Sequence, residues 1–142
     1  MYVDKFLQFS AAQALTATAV STNVIDLGLD RDIGIGEPMA AVAFIKVAAD
    51  FATGNETYKF TLQTATDAAF TTAVTVVESG VINGDELALG KKVVLPMGHT
   101  NLRYLRVNYT LAGTTPTATV DTYLSPLNFI NGEAYYASGF VV

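Results

Sequence analysis

Apolar and polar residues alternate along much of this chain. In Tyr104-Leu105-Arg106-Val107-Asn108-Tyr109-Thr110-Leu111, the positions Leu105, Val107, Tyr109 and Leu111 fall on one side. Arg106, Asn108 and Thr110 fall on the other. A period of two is the mark of a strand with one face in a core and one in water. Lys59 to Gln63 repeats it with Phe60 and Leu62, and Ala118, Val120, Thr122 and Leu124 stand against Thr119, Asp121 and Tyr123. Met39 to Val47 is an almost continuous apolar run, which predicts a central strand buried on both faces. Val74 to Val77 and Lys92 to Leu95 predict shorter strands. Thr16 to Thr18 with Asn23 to Leu27 predict either a first pair or one bent strand.

Turn chemistry separates these runs. Gly28 to Pro38, Asp50 to Asn55, Asn83-Gly84 and Gly113 to Pro116 read as loops, with a short helical turn over Asp85 to Leu89. Helix is expected only at Ser10 to Leu15, by composition, and as one turn at Thr66 to Phe70. The pattern predicts an all-β, single-domain β-sandwich, jelly-roll-like, with about seven or eight antiparallel strands. One domain spans 1–142, with an N-terminal arm over about 1–12 and a C-terminal tail over about 126–142.

Composition narrows the function classes. Charged residues are 15% of the 142, against a usual ~25%, while hydrophobic residues are 51%. A lone soluble subunit generally shows water more charge than this. Thr, Ser, Asn and Gln replace part of the missing charge, and the deficit also predicts that other subunits cover part of the apolar surface. The net charge of −5, with eight Lys and Arg and no basic run beyond Lys91-Lys92, argues against nucleic acid as a partner. No apolar stretch approaches the ~20 residues of a spanning helix, so no membrane is expected. The N-terminus, with Asp4 where a basic region would stand, does not read as a signal peptide, which predicts synthesis in a cytoplasm.

Candidate chemistry is sparse. With no Cys, thiolate metal sites and Cys nucleophiles are out. His99 is the single His, too few for a His-ligated metal centre. Asp30, Asp32 and Glu37 in the Gly28 to Pro38 loop offer oxygens to an ion, but Arg31 pairing with a carboxylate is the simpler use. Asp85-Glu86 reads as a solvated turn. No catalytic, cofactor or metal residue is assigned, and no enzyme activity is expected. The chain ends carry more: Tyr2, Phe6 and Phe9 at one, Tyr135, Tyr136 and Phe140 at the other. Aromatic ends predict docking, either onto this domain or onto a neighbour.

Ser21-Thr22-Asn23-Val24-Ile25-Asp26-Leu27-Gly28, followed by Arg31-Asp32-Ile33-Gly34-x-Gly36-Glu37-Pro38, resembles the N-terminal signature of the capsid cement (decoration) proteins of tailed bacteriophages. The resemblance continues through Phe60-x-Leu62-Gln63-Thr64, Tyr104 to Tyr109, and Ala134-Tyr135-x-Ala137-Ser138-Gly139-Phe140. The tail departs from it at Tyr136-Ala137, where a proline-containing turn is expected. The resemblance implies a jelly-roll-like domain, a homotrimer, and a virion location on the outer capsid surface, bound to the major capsid protein. It implies no catalysis. The contacts expected are Tyr2, Phe6, Phe9, Arg31, Asp32, Glu37, Tyr135, Tyr136 and Phe140. Two rivals stand beside it. One is a carbohydrate- or receptor-binding sandwich of a phage particle, using Tyr104, Tyr109, Tyr123 and Tyr135 as platforms. The weaker is a small hydrolase or isomerase.

Overall fold

The computed structural model describes residues 4–33 and 35–130. Ten strands run in chain order: β1 (Gln8–Leu15), β2 (Ala19–Val20), β3 (Ile25–Asp26), β4 (Met39–Val47), β5 (Thr57–Ala65), β6 (Val74–Glu78), β7 (Ile82–Asn83), β8 (Lys92–Met97), β9 (Tyr104–Ala112) and β10 (Ala118–Pro126). One-turn 3-10 segments lie at Lys5–Leu7 and Gly84–Glu86, and a single helix, α1, at Leu127–Ile130.

The strands form two antiparallel sheets. Sheet A has the order β1-β10-β4-β8. Sheet B has the order β2-β9-β5-β6, with β3 also on β9 and β7 also on β5. The pairing is nested: β1 with β10, β2 and β3 with β9, β4 with β8, and β5 with β6. A long hairpin rolled over on itself gives this order, which is that of a jelly roll. β2 and β3 occupy one strand position on β9, interrupted at residues 21–24, so this segment is one bent strand and not a separate pair; it starts at Ala19, and the expected Thr16 to Thr18 stretch is a bend, not strand.

β4 is central, between β10 and β8. Its side chains alternate between two apolar clusters, as its unbroken run demands. Ala41, Ala43 and Ile45 enter the main core, and Ala40 and Val42 the opposite face. Sheet B supplies Tyr58, Phe60, Leu62, Leu105, Val107 and Tyr109 to the same core. Phe60 and Tyr109 meet edge to face, with centroids 5.7 Å apart, a geometry that adds to area burial. The Tyr109 hydroxyl, from sheet B, lies 2.7 Å from Ser10 Oγ and 2.8 Å from Thr122 Oγ1, both from sheet A. Three buried hydroxyls thus satisfy one another across the sandwich, and burial pushes the Tyr109 pKa up to about 12.

One expectation fails outright. Ser10 to Leu15 is strand, not helix. Its Ala and Gln content suits a helix, but Phe9 and Leu15 both bury in the core, and Ser10 joins the hydroxyl cluster. Tertiary contacts override a weak propensity. The register shifts between Gln8 and Gln13, and Ala12 adopts a positive φ of 43° while its amide donates to Asp121 Oδ1. β1 begins at Gln8, within the stretch expected as an N-terminal arm.

Candidate interaction surface

The strand registers place the Lys5–Leu7 turn, residues 27–38, residues 98–103 and α1 at one end of the sandwich. This end is apolar. Phe6 is 91% exposed, and Leu29, Ile35 and Phe129 are more than half exposed. Among them opens a groove of about 330 Å³ between the sheet ends. Its floor is Leu7, Leu27, Ile33, Met39 and Leu124, and Asp32 and Glu37 stand with Ile35 at its edge. The loop that forms one wall is fastened. Ile33 and Thr100 exchange backbone hydrogen bonds of 3.1 and 3.2 Å, and Leu127 N–H donates to the Pro38 carbonyl at 2.7 Å. A second groove, of about 430 Å³, lies beside β6 and is lined by His99, Thr100, Asn101, Val74 and Asp32.

The two sheets present opposite chemistry on their outer faces. Sheet B shows Lys59, Gln63, Arg106, Asn108 and Thr110, tied by a Lys59–Glu78 ion pair and an Arg106 to Gln63 hydrogen bond. Such a face suits water. Sheet A shows rows set by register: Ser125, Ala40 and Pro96, then Tyr123, Val42 and Val94, then Asp121, Phe44 and Lys92. Phe44 and Tyr123 contact edge on at 6.4 Å, and Lys92 lies over the Phe44 ring at 5.6 Å. The face therefore grades from apolar, at the end with the groove, to charged, where Lys46 pairs with Asp121. α1 folds over its apolar part, burying Ile130 against Ala40 and Val42.

The expected contact residues separate. Phe6, Arg31, Asp32 and Glu37 are exposed at the apolar end. Phe9 is not a surface residue: it is 0% exposed, inside the core, because the strand turns it toward sheet B. Tyr2, Tyr135, Tyr136 and Phe140 lie outside the described residues. The Arg31 pairing is also corrected. Among the described residues Arg103, not Arg31, takes a carboxylate, with Nε 2.7 Å and Nη2 2.9 Å from the two oxygens of Asp26. That fork, with the Gly28 amide on Asp26 Oδ1, holds the Asp26 carboxyl at about 2. Glu37 receives the Asn128 amide at 3.3 Å, and no ion pair among the described residues involves Asp32 or Glu37. Of the four tyrosines considered as platforms, Tyr109 is buried, and the Tyr123 hydroxyl accepts from the Gln8 amide.

The sequence reading does not single out Phe44, Val94 and Leu127, the partly exposed apolar residues of this face, and Val42 beside them is fully buried. The signal was present in the Met39 to Val47 run: a strand buried on both faces needs a second cover beyond its partner sheet. Among the described residues no group of three or more His, Asp or Glu gathers at metal-binding distances, and no helix is long and apolar enough to cross a membrane.

The family model described as Bbp16, a name of the type given to phage gene products, matches residues 9–123. The match runs from β1 into β10 and takes in both sheets and the loop at residues 27–38. No curated protein matches the chain.

Proposed function

We propose that this chain, which belongs to the Bbp16 family, is a structural cement protein of a phage particle. It binds the outside of the assembled head as a homotrimer and holds neighbouring major capsid proteins together. Its action is passive and non-catalytic. A protein that binds the intact lattice, and not dispersed subunits, stabilises the lattice by linkage. Three copies bound together gain avidity of roughly 10²–10⁴ over one. The observation that supports this reading best is the asymmetry of the surface. One end exposes Phe6, Leu29, Ile35 and Phe129 around a groove with an apolar floor, while the outer face of sheet B carries Lys59, Gln63, Arg106, Asn108 and Thr110. A free monomer has no use for exposed Phe6, Ile35 and Phe129 together, whereas an assembly surface does. The carbohydrate-binding alternative has less support, because a buried Tyr109 cannot stack on a sugar.

The test is to prepare heads with and without this protein and to heat them at low ionic strength. Heads lacking the protein should release DNA at lower temperature and recover when it is added back. Equal heat resistance with and without the protein would end the cement reading. Sedimentation of the free protein checks the trimer.

A further inference from the structure

The groove at the apolar end has a feature that bulk docking of a greasy surface does not require. Its floor, Leu27, Ile33, Met39 and Leu124, is wholly apolar, and two carboxylates, Asp32 and Glu37, stand at its margin. Neither has a cationic partner among the described residues. The nearest cation in sequence, Arg31, is exposed and does not line the groove. Arg103 is already engaged with both oxygens of Asp26. Burying the floor under a partner without a cation brings two carboxylates into a drier setting without a counter-charge, Glu37 having only the Asn128 amide at 3.3 Å, which is unfavourable. A partner that inserts an apolar side chain and lays a cation across the margin satisfies both parts at once.

We infer that this groove binds a partner segment carrying one large apolar side chain next to a Lys or Arg. The volume of about 330 Å³ is at the small end for a binding cleft, which suits one anchoring side chain and not a whole helix. The chain's own tail fits poorly on charge: residues 131–142 contain Glu133 and no Lys or Arg. The inference rests on the docking role of this end and adds the chemistry of what docks there.

The experiment is an NMR titration of the full chain, followed at the methyl groups of Leu27, Ile33, Met39 and Leu124, with four synthetic peptides. These are acetyl-Gly-Ser-Phe-Arg-Ser-Gly-amide, its Glu counterpart with Arg replaced, its Gly counterpart with Phe replaced, and a peptide of residues 131–142. The Phe-Arg peptide should shift the groove methyls and bind at least fivefold more tightly than the Phe-Glu and Gly-Arg peptides, with the advantage shrinking in high salt. The double variant Asp32→Asn/Glu37→Gln should remove that advantage, while its own melting temperature stays within about 2 °C of wild type. Equal binding of the Phe-Arg and Phe-Glu peptides, or no shift at the groove methyls, overturns the inference, as does tighter binding of the 131–142 peptide. The head-stability assay separates the two ideas. If heads take up the double variant as they do wild type, the basic occupant is wrong and cementing stands. If the peptides behave as expected but heads gain no heat resistance, cementing is wrong and the groove preference stands.

Discussion

Replacing Tyr109 with Phe removes one oxygen and leaves the ring in place. The ring keeps its edge contact with Phe60, so the loss falls on the hydroxyl cluster. Ser10 retains Gln13 Oε1 at 2.6 Å. Thr122 is 1% exposed, and among the described residues its hydroxyl hydrogen-bonds to Tyr109 alone. A net intramolecular hydrogen bond contributes about 1 kcal/mol, and a buried hydroxyl left without a partner costs about 1–3 kcal/mol. Tyr109→Phe should therefore destabilise by about 2 kcal/mol, or roughly 8 °C in Tm for a domain of this size. The double variant Tyr109→Phe with Thr122→Val removes both ends of the bond and should recover about half of that loss. The pH dependence provides a second check. A tyrosine neutral to about 12 in the folded state and to about 10 when unfolded makes the unfolded state the weaker proton binder between those values. Its contribution is fully present below pH 10 and is lost as pH rises toward 12. The deficit of Tyr109→Phe relative to wild type should accordingly shrink across that window. Urea denaturation at fixed protomer concentration measures all of this. A single variant within 0.5 kcal/mol of wild type, or a double variant no better than the single, would refute the argument.

Four further outcomes are expected. Asp26→Asn should flatten stability against pH on the acid side. The Asp26 carboxyl is depressed by Arg103, so its contribution is present above about pH 4 and is lost as pH falls to about 2; acid-titrated circular dichroism would show it. Gly84→Ala should cost about 2 kcal/mol or more in denaturant melts, because a Cβ there would stand 2.3 Å from the Asp50 carbonyl oxygen. Gly113→Ala should be similarly costly, with φ at +110° and Asn55 and Glu56 backbone atoms 2.7 Å from the added carbon. Phe6→Ser with Ile35→Asp should leave the melting of the free protein within about 0.5 kcal/mol, since both side chains are mostly exposed, yet weaken association with heads at least tenfold in a pelleting assay. Unchanged association would remove the apolar end from the docking surface.

Much of the fold is written in the chain's short-range pattern. A period of two needs only neighbours in sequence to be seen, so the faces of β5, β9 and β10 and the two-sided burial of β4 follow from the residues themselves. Six of the seven strands of five or more residues match expected strands; the seventh, β1, lies where helix is expected, and the expected first strand is the two short pieces β2 and β3. Glycine and proline clusters mark the loops for the same local reason. The first strand was illegible because Ala, Gln and Leu suit either state, and its fate was decided by Phe9 and Leu15 finding a core made by residues a hundred positions away.

The candidate surface divides along the same line. The sequence determined a high share of apolar side chains, 51% against 15% charged, with one His and no Cys. It could not determine which apolar residues remain outside. Phe6 and Phe9 are three positions apart and of one type, yet one is exposed and the other enclosed. Only the tertiary structure decided that, since exposure depends on which distant strands lie opposite. It also brought Asp32 and Glu37 beside an apolar groove and gave Asp26 to Arg103. Charge pairing and cavity shape arise from contacts between residues far apart in the chain, and no local pattern encodes them.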